Sequence, residues 1–391
     1  MAVLGGVPAV LGGTFQATAS GAIANGDPIK INSNGTVSKA TAEAGLSMYV
    51  CGSGYDAIYQ FSLGAPFDIA TGVYHQSKSV ANEENIPQGI TFSANGGKFF
   101  VIGSGQYDIH EYTVGTGFDI ATAKFIDSKY LASTDNAPRD VVFNNDGSKF
   151  FWAGDEGNQI CEWACSTNYD ISTSSATRTY SVVSSLGSGA SPNGVTFNAD
   201  GTKMFVSTDG TSSPNCGVHE FTLSTGFNLS SVSHVDGIDL FGITNTAKSV
   251  RFNTDGTRCF FLGDGPNQQK IYQLTLSTGF DISTASLTAF VTFNILDYIN
   301  AADLFGLSFG DGVVGQSSYI GIANSAVSDG ATATVQVIGA IDDAASGLTA
   351  GRTVYVSTTG TLTHTKTSLV AGVALTASKV LIKGAYAELF S

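Results

Sequence analysis

The sequence repeats itself, and few folds are compatible with a repeat of this kind. One segment starts at Pro87 and consists of an apolar run, a turn that contains glycine, and a second apolar run; it returns from Pro138, Pro192 and Ala247. These starting points are 51, 54 and 55 residues apart. Self-similarity at such a period predicts a fold in which small units of secondary structure stack on one another.

A further apolar run follows each segment and occurs five times, at spacings of 51, 51, 58 and 53 residues. The five runs are Ile58–Phe61, Ile109–Tyr112, Ile160–Trp163, Val218–Phe221 and Ile271–Leu274. Each run leads to a turn of the Phe-Asp-Ile type. We therefore infer four short strands per repeat: A and B from the first segment, C from this run, and D after the turn. Four antiparallel strands repeated around a ring predict a β-propeller.

The two ends of the array complement each other. Strand C occurs five times, whereas the full A–B segment occurs only four times. Met48–Gly52 matches strand B, and Gly306–Gly312 matches strand A with its turn. The sequence therefore predicts five blades, with residues 306–312 pairing with residues 47–52 to close the ring. A shared blade of this kind leaves no exposed strand edge at the point of closure.

The flanks of the array also resemble each other. Residues 25–37 parallel residues 350–362, and residues 319–323 parallel residues 370–374. This duplication predicts a small β-barrel or β-sandwich that the propeller interrupts at one hairpin, because the ends of an exposed hairpin are already close together.

The predicted organisation is all-β, a five-bladed β-propeller inserted into a split domain. The boundaries are an N-terminal arm at residues 1–13, a split domain at 14–40 plus 315–391, and a propeller at 41–314. The chain enters and leaves the propeller at the A–B turn of the first blade. The split domain is therefore expected at the rim of the A–B turns, which leaves the B–C and D–A loops on the free rim.

Composition excludes several classes of function. The 18 Lys and Arg residues stand against 32 Asp and Glu residues, and the net charge is −14. Such a balance argues against a nucleic-acid binder and against adhesion to anionic lipid. No run of 18 apolar residues predicts a membrane-spanning helix. A signal peptide ending at Ala17–Ala19 is a weak alternative, because no basic segment precedes it.

The five cysteines do not predict a disulfide or a metal site. Cys161 and Cys165 would lie about 13 Å apart along one strand, which is too far for a disulfide. The sequence has no Cys-x-x-Cys motif and no Cys/His cluster with zinc spacing. We expect five buried or half-buried thiols, and neither a metal nor another cofactor.

The B–C and D–A loops vary between repeats, whereas the A–B and C–D turns are nearly constant. Diversified loops on a rigid scaffold are common sites of recognition, although drift in unconstrained loops explains the variation equally well. The candidate ligand-binding residues on this rim are Tyr55, Tyr107, Asp155, Glu156, Asn215 and Asn267. Tyr55 and Tyr107 are candidate platforms for a sugar ring.

The sequence shows no specific catalytic constellation, and we predict no catalytic residues. Most Asp residues fall in turns, where a carboxylate accepts backbone hydrogen bonds. Glu111, Glu162 and Glu220 recur at one position of strand C, which predicts cross-strand partners at Lys98, Lys149 and Lys203. His110 and His219 occupy equivalent positions and are predicted to be packing residues.

The repeat segment, together with the Leu276–Ala285 type of turn, resembles propeller repeats of bacteriophage proteins, notably those of marine viruses. The flank pattern at Tyr319–Gly339, Gly347–Leu362 and Leu369–Gly384 resembles β domains of phage capsid-decorating and tail-appendage proteins. The resemblance implies a virion structural protein whose propeller is a candidate for contact with the host surface.

Three hypotheses about function follow. The first is a virion structural protein on the capsid surface or tail, assembled in the host cytoplasm. Its partners would be copies of itself and other virion proteins, and its ligand a host surface glycan or protein. This hypothesis includes no nucleic-acid partner and no insertion into a membrane. The alternatives are a propeller glycosidase or lyase that acts on surface polysaccharide, and a secreted cellular adhesin.

Overall fold

A computed structural model describes residues 13–32, 34–40, 42–115, 117–210, 216–244, 246–265, 268–299, 303–313, 319–357, 360–364 and 370–383. Almost all regular structure in these ranges is β. The strands are β1 (Thr14–Thr18), β2 (Pro28–Ile31), β3 (Val37–Lys39), β4 (Ala42–Gly52), β5 (Ala57–Ser62), β6 (Val73–Ser79), β7 (Pro87–Phe92), β8 (Lys98–Gly103), β9 (Asp108–Val114), β10 (Ala123–Tyr130), β11 (Pro138–Phe143), β12 (Lys149–Gly154), β13 (Gln159–Cys165), β14 (Ser174–Ser181), β15 (Ser191–Phe197), β16 (Lys203–Asp209), β17 (Gly217–Leu223), β18 (Val232–Asp239), β19 (Ala247–Phe252), β20 (Arg258–Gly265), β21 (Gln268–Leu276), β22 (Ala285–Asn294), β23 (Leu304–Val313), β24 (Tyr319–Ala323), β25 (Thr332–Gln336), β26 (Ile341–Asp342), β27 (Thr353–Val356), β28 (Leu362–Thr363), β29 (Val370–Ala374) and β30 (Val380–Ile382).

Within the described ranges, helical structure is limited to single turns. One α-helical turn, α1, spans Val183–Leu186. Short 3-10 turns lie at Ile69–Thr71, Ile120–Thr122, Ile171–Thr173, Leu229–Ser231, Ile282–Thr284 and Ile295–Asp297. The first five occupy the C–D turns. In three of them, the Asp before the turn accepts a hydrogen bond from the backbone N–H two residues later, at Ala70, Ala121 and Ser172, as the turn chemistry predicts.

The described residues fall into two compact units. The first comprises those within residues 1–46, 62–66 and 311–391, and the second those within 47–61 and 67–310. The sequence-based boundaries lay at 40/41 and 314/315. Strands β4 and β23 both run through a division point, so the chain passes between the units within strands.

The second unit contains five four-stranded sheets. Sheet one has the order β23-β4-β5-β6, and sheets two to five each follow the chain: β7–β10, β11–β14, β15–β18 and β19–β22. Sheet one therefore takes its first strand from the far end of the array. The structure corrects one turn assignment here. Asp311 lies within β23 and not in an A–B hairpin, because the chain does not return from β23 to the next strand of that sheet.

The first strands of these sheets, β7, β11, β15, β19 and β23, are called the inner strands. Strand β7 contacts β11, β11 contacts β15, and β15 contacts β19. The Ser249 hydroxyl of β19 accepts a hydrogen bond from the Leu307 N–H of β23 at 3.2 Å. Gly306 of β23 faces the Cα of Gly89 of β7 so closely that a side chain would not fit. The contacts between inner strands therefore run round a closed ring.

A repeated set of polar contacts joins neighbouring sheets at the C–D turns. Lys98 forms a 2.6 Å ion pair with Glu111 of the same sheet and donates to the Tyr169 carbonyl of the next sheet at 2.7 Å. The other Glu111 oxygen accepts the Ile171 N–H at 3.2 Å. The same arrangement recurs with Lys149–Glu162 at 2.9 Å and Lys203–Glu220 at 2.7 Å. The predicted cross-strand partners are confirmed, and each pair also holds the following sheet.

The first unit contains two five-stranded sheets with the same strand order. The first flank sheet is β1-β25-β24-β2-β3, and the second flank sheet is β26-β30-β29-β27-β28. The order matches strand by strand, as the duplicated flank sequence predicts. Gly321 and Gly372 occupy equivalent central strands, and at each a Cβ would strike a carbonyl oxygen of the neighbouring strand. One apolar cluster contains buried residues of both sheets, including Tyr319, Ile322, Val354 and Val380.

Candidate functional site

The centre of the ring holds a buried ion pair. The Arg251 guanidinium on β19 donates two parallel hydrogen bonds to Asp140 on β11, each 2.8 Å long. Asp140 is fully buried, and Arg251 is 7% exposed. A bidentate pair of this kind is geometrically specific, and neither charge faces water.

All five inner strands contribute to this pair. Arg251 also donates to the carbonyls of Ile90 on β7, Val141 on β11 and Val195 on β15, each at 3.3 Å. Asp140 accepts the Val195 N–H and the Ser249 hydroxyl, both at 3.2 Å. The same hydroxyl contacts Leu307 on β23. The pair therefore connects the inner strands to one another. Both Asp140 oxygens accept hydrogen bonds from within the ring.

The aligned repeats contain a signal for this pair that the sequence analysis missed. Asp140 and Ser249 stand where three inner strands have Gly89, Gly194 and Gly306. Arg251 stands where the others have Thr91, Val142, Thr196 and Ser308. Asp140 and Arg251 are charges of opposite sign at two nearby positions of the repeat whose equivalents are small or uncharged, so they are mutually compensating departures from the repeat. Comparing the inner-strand positions of the repeats with one another reveals these two residues, whereas comparing the loops does not.

The axial entrance, defined as Gln88, Arg139, Asn193, Lys248 and Phe305, is the next layer of the ring. These residues occupy one equivalent position of the five inner strands, directly before the layer that contains Asp140. Arg139 forms a 2.5 Å ion pair with Asp155 and contacts the Gln88 amide oxygen at 3.4 Å. Asp155 also accepts a hydrogen bond from Ser191 of the following sheet. Among the predicted ligand-binding residues that the structure describes, Asp155 is the one with a contact to this entrance.

The other side of the axial entrance combines a cation and an aromatic ring. The Lys248 ammonium lies 4.2 Å from the centroid of the Phe305 ring and 3.5 Å from the Leu304 carbonyl oxygen. Two donor atoms of the entrance, Asn193 Nδ2 and Arg139 Nε, are buried and have no hydrogen-bond partner in the part of the chain that the structure describes. Buried donors of this kind are uncommon and call for an acceptor, either ordered water or a ligand.

Of the remaining predicted ligand-binding residues, three lie on B–C loops and two lie outside the residues that the structure describes. Tyr55 is 61% exposed, Tyr107 is 39% exposed, and Glu156 is also exposed. Tyr107 has a positive φ of 62°, and the residue with the equivalent backbone conformation in sheet one is Asp56, not Tyr55. The two tyrosines are therefore offset by one residue in their loops. Asn215 and Asn267 lie outside the described residues.

Two buried carboxylates on the D–A loops have a local structural task. Glu84 accepts the backbone N–H groups of Ile86 at 2.8 Å and Gly105 at 3.0 Å. Asp135 does the same for Ala137 at 2.9 Å and Gly157 at 2.8 Å. Each carboxylate links a D–A loop to the B–C loop of the sheet that follows it. The acidic residues of this rim are therefore not all free surface charges.

The predicted packing histidines are buried. His110 lies 3.4 Å from Glu84, and His219 lies 3.2 Å from the Thr208 hydroxyl. Burial, with a smaller effect of the neighbouring His234, lowers the pKa of His219 to about 4. His219 is therefore neutral in the folded protein at pH 7.

We expect acid to destabilise the fold through His219. Its pKa is near 6.5 in the unfolded chain and about 4 in the folded one, so the unfolded state binds the proton first as the pH falls. The free energy of unfolding should decrease between pH 6.5 and pH 4 by up to about 3 kcal/mol from this group alone. Urea unfolding of wild type and His219→Gln across this range measures the effect. An identical pH slope in both proteins would contradict it.

All five cysteines are free and buried, which confirms the prediction of buried or half-buried thiols. Burial raises the pKa values of Cys51, Cys161 and Cys259 well above the ordinary thiol range. Among the described residues, no group of three or more His, Cys, Asp or Glu side chains is arranged to hold a metal ion. Nor does any helix in the described part of the chain have the length and apolarity needed to cross a membrane.

Comparison with known proteins gives one family match. The sequence model of the phage cement protein family matches residues 292–380, which include all of β23 to β29. No curated protein matches. The family match supports a structural protein of a phage.

Solved structures with a related arrangement are remote in sequence. A protein from Lactobacillus plantarum has a TM-score of 0.41 and 11% identity, over 68% of this chain and 71% of that one. A putative 6-phosphogluconolactonase from Bacteroides uniformis has a TM-score of 0.38 and 12% identity, over 72% of this chain and 80% of that one. The β-propeller domain of Cps50 from Myceliophteria thermophila has a TM-score of 0.34 and 13% identity, over 55% of this chain and 63% of that one. At these values the similarities do not bear on function.

Proposed function

We propose that this chain is a structural protein of the phage virion, and that its first unit attaches it to the capsid as a cement or decoration protein. The family match at residues 292–380 carries the proposal. The matched residues contain most of the second flank sheet and the central strand β24 of the first. The acidic charge of −14 agrees with contact to protein rather than to nucleic acid.

In this proposal, the second unit is a five-bladed β-propeller formed by residues 41–314. It is inserted into a split β-barrel or sandwich formed by residues 14–40 and 315–391. The closed ring of inner strands and the repeated contacts at the C–D turns support five blades. The identical strand order of the two flank sheets supports a duplicated split domain. Four antiparallel strands per blade around one axis are the usual form of a propeller.

The propeller would then be the displayed part of the protein, and would bind a host surface glycan or protein. Weak single contacts suffice for such a role, because many copies on one particle raise the effective affinity. The partners of the split domain would be other virion proteins and copies of the same chain. The ring itself, held by the buried Arg251–Asp140 pair and the C–D contacts, would be a rigid support for variable loops.

Immunogold labelling of purified particles tests the virion role, with an antibody raised against residues 47–310. We expect label over the head, and we expect particles made without the protein to lose their genome at a lower temperature than wild type. A ligand that binds only the assembled state stabilises it, which is the physical reason for this shift. Complementation with the full chain should restore the wild-type release temperature.

Two results would contradict the proposal in different ways. Label confined to the tail would exclude the capsid position while keeping a virion role. Particles without label, together with label on host cells, would exclude the virion role and favour a cellular adhesin. The serum should be absorbed against particles that lack the protein, so that background label is distinguished from specific label.

A further inference from the structure

We propose that the axial entrance binds a saccharide that carries one carboxylate. This inference rests on the part of the proposed function that makes the ring a binding module, and not on where the virion carries it. The exposed loop tyrosines Tyr55 and Tyr107, which the sequence favours as platforms, are in this proposal not the principal contacts.

The composition of the entrance is unlike that of the protein as a whole. In a chain with 18 basic and 32 acidic residues, its five equivalent positions hold two cations, two amides, one phenylalanine and no acid. The Asp155 carboxylate neutralises one positive charge through Arg139. The five positions and Asp155 together hold two cations and one carboxylate. That balance suits a ligand with a single negative charge.

The free hydrogen-bonding capacity also points to an acceptor ligand. Arg139 Nε and Asn193 Nδ2 are both buried, and neither has a partner among the described residues. The other guanidinium nitrogens of Arg139 contact Asp155 and Gln88, so Nε is the donor that a ligand carboxylate would accept from. A carboxylate beside Arg139 and a sugar hydroxyl beside Asn193 would satisfy both donors, whereas an apolar ligand would leave them unpaired.

Phe305 supplies the apolar part of the site. Its ring lies 4.2 Å from the Lys248 ammonium, so an aromatic face and a cation are adjacent. A pyranose has an apolar face of C–H groups that packs on an aromatic ring, and hydroxyls at its edge that reach neighbouring polar groups. The amides of Gln88 and Asn193 are suited to those hydroxyls.

The Arg251–Asp140 pair forms the floor of the site. It lies in the layers of the inner strands that follow the entrance, and it is nearly inaccessible to solvent. Because Arg251 neutralises Asp140, the floor does not repel an anion. A saccharide would therefore enter from the side of the B–C and D–A loops and stop at this pair, with its non-reducing end or one branch sugar in the entrance.

Calorimetry with the purified full chain tests the proposal. The probes are 3′-sialyllactose, a trisaccharide with one carboxylate, and the neutral trisaccharide globotriose, in which a galactose takes the place of the acidic sugar. We expect the acidic trisaccharide to bind at least about tenfold more tightly than the neutral one, which corresponds to one well-placed charged contact. Equal binding of the two, or binding of neither, would overturn the proposal.

Variants locate the site. Arg139→Gln and Asn193→Asp should each weaken binding of the acidic trisaccharide by about tenfold or more. Asn193→Asp nearly preserves the side-chain shape and places a negative charge against the carboxylate, so it decides the matter if Arg139→Gln fails to fold. Lys124→Gln, with the same change of charge on the exposed face of β10, should leave the dissociation constant unchanged.

A different pattern of losses would place the ligand elsewhere. If Tyr107→Ala abolishes binding while Arg139→Gln and Asn193→Asp retain it, the loop rim is the site and the axial entrance is not. None of these outcomes depends on the labelling of particles. Failure of the saccharide proposal and failure of the virion proposal are therefore distinguishable.

Discussion

Replacing Arg251 by threonine is expected to lower the free energy of unfolding by about 3–5 kcal/mol, because the change leaves the buried Asp140 carboxylate without its cation. Threonine stands at the equivalent position of β7 and β15, as Thr91 and Thr196. The backbone of an inner strand therefore accepts this residue. Urea unfolding at pH 7, followed by far-ultraviolet circular dichroism, measures the loss.

The matched control is the double variant Asp140→Gly with Arg251→Thr, which copies the inner-strand sequence of sheets two and four. It removes both charges and leaves no unpaired ion, so it should be clearly more stable than the sum of the two single changes predicts. A coupling energy of several kcal/mol between contacting charges would appear in this cycle. Additive losses would show that the ion pair does not act as a unit.

Repetition explains how much of the second unit could be predicted from the sequence. The four strands per repeat, the turn residues and the Lys–Glu pairs recur at fixed positions, so each repeat supplies evidence about the others. Asp146, Asp200 and Asp255 illustrate this. Each accepts hydrogen bonds from the side chain and the backbone of the residue two positions later, and those bonds lower the carboxyl pKa. A local hydrogen bond of this kind depends only on the neighbouring sequence.

The contacts that the sequence did not predict join separate repeats or depend on single departures from the pattern. The carboxylate of Glu111 was expected to pair with Lys98 across the sheet, but its second oxygen binds Ile171 of the next sheet. Such a bond depends on the distance between sheets, which no spacing along the chain specifies. Asp140 and Arg251 are 111 residues apart, and they meet only because the ring brings β11 and β19 to one axis.

The positions of the loop residues are hard to predict for a related reason. Tyr55 and Tyr107 are aromatic and lie in corresponding loops of equal length, but Tyr107 aligns with Asp56, so the two tyrosines lie one position apart. Loop conformation depends on a few dihedral angles and is not fixed by period. The axial entrance, in contrast, belongs to regular strands, so its five members could have been aligned from the repeat alone.

The second large effect is expected at Glu162, which holds sheets three and four together. Its Oε1 accepts hydrogen bonds from Lys149 at 2.9 Å and Arg178 at 3.1 Å, and its Oε2 accepts the Leu229 N–H at 3.0 Å. Glu162→Ala should cost about 2–4 kcal/mol of unfolding free energy, because it leaves the buried Leu229 N–H without an acceptor and the Lys149 ammonium without its counter-ion. Urea unfolding at pH 7 measures this loss.

Glu162→Gln is the matched control, because Gln60 and Gln273 occupy this position in sheets one and five. Its carbonyl oxygen retains one acceptor, so the loss should be about 1–2 kcal/mol. Burial alone would raise the pKa of Glu162, but Lys149, the Leu229 N–H and Arg178 outweigh it and hold that pKa below 4.5. The charged form therefore stabilises the fold above pH 4.5, and this contribution disappears as the pH falls through the folded-state pKa. The stability difference between wild type and Glu162→Gln should narrow over that interval; a difference that stays constant with pH would show that the carboxylate charge does not hold the two sheets together.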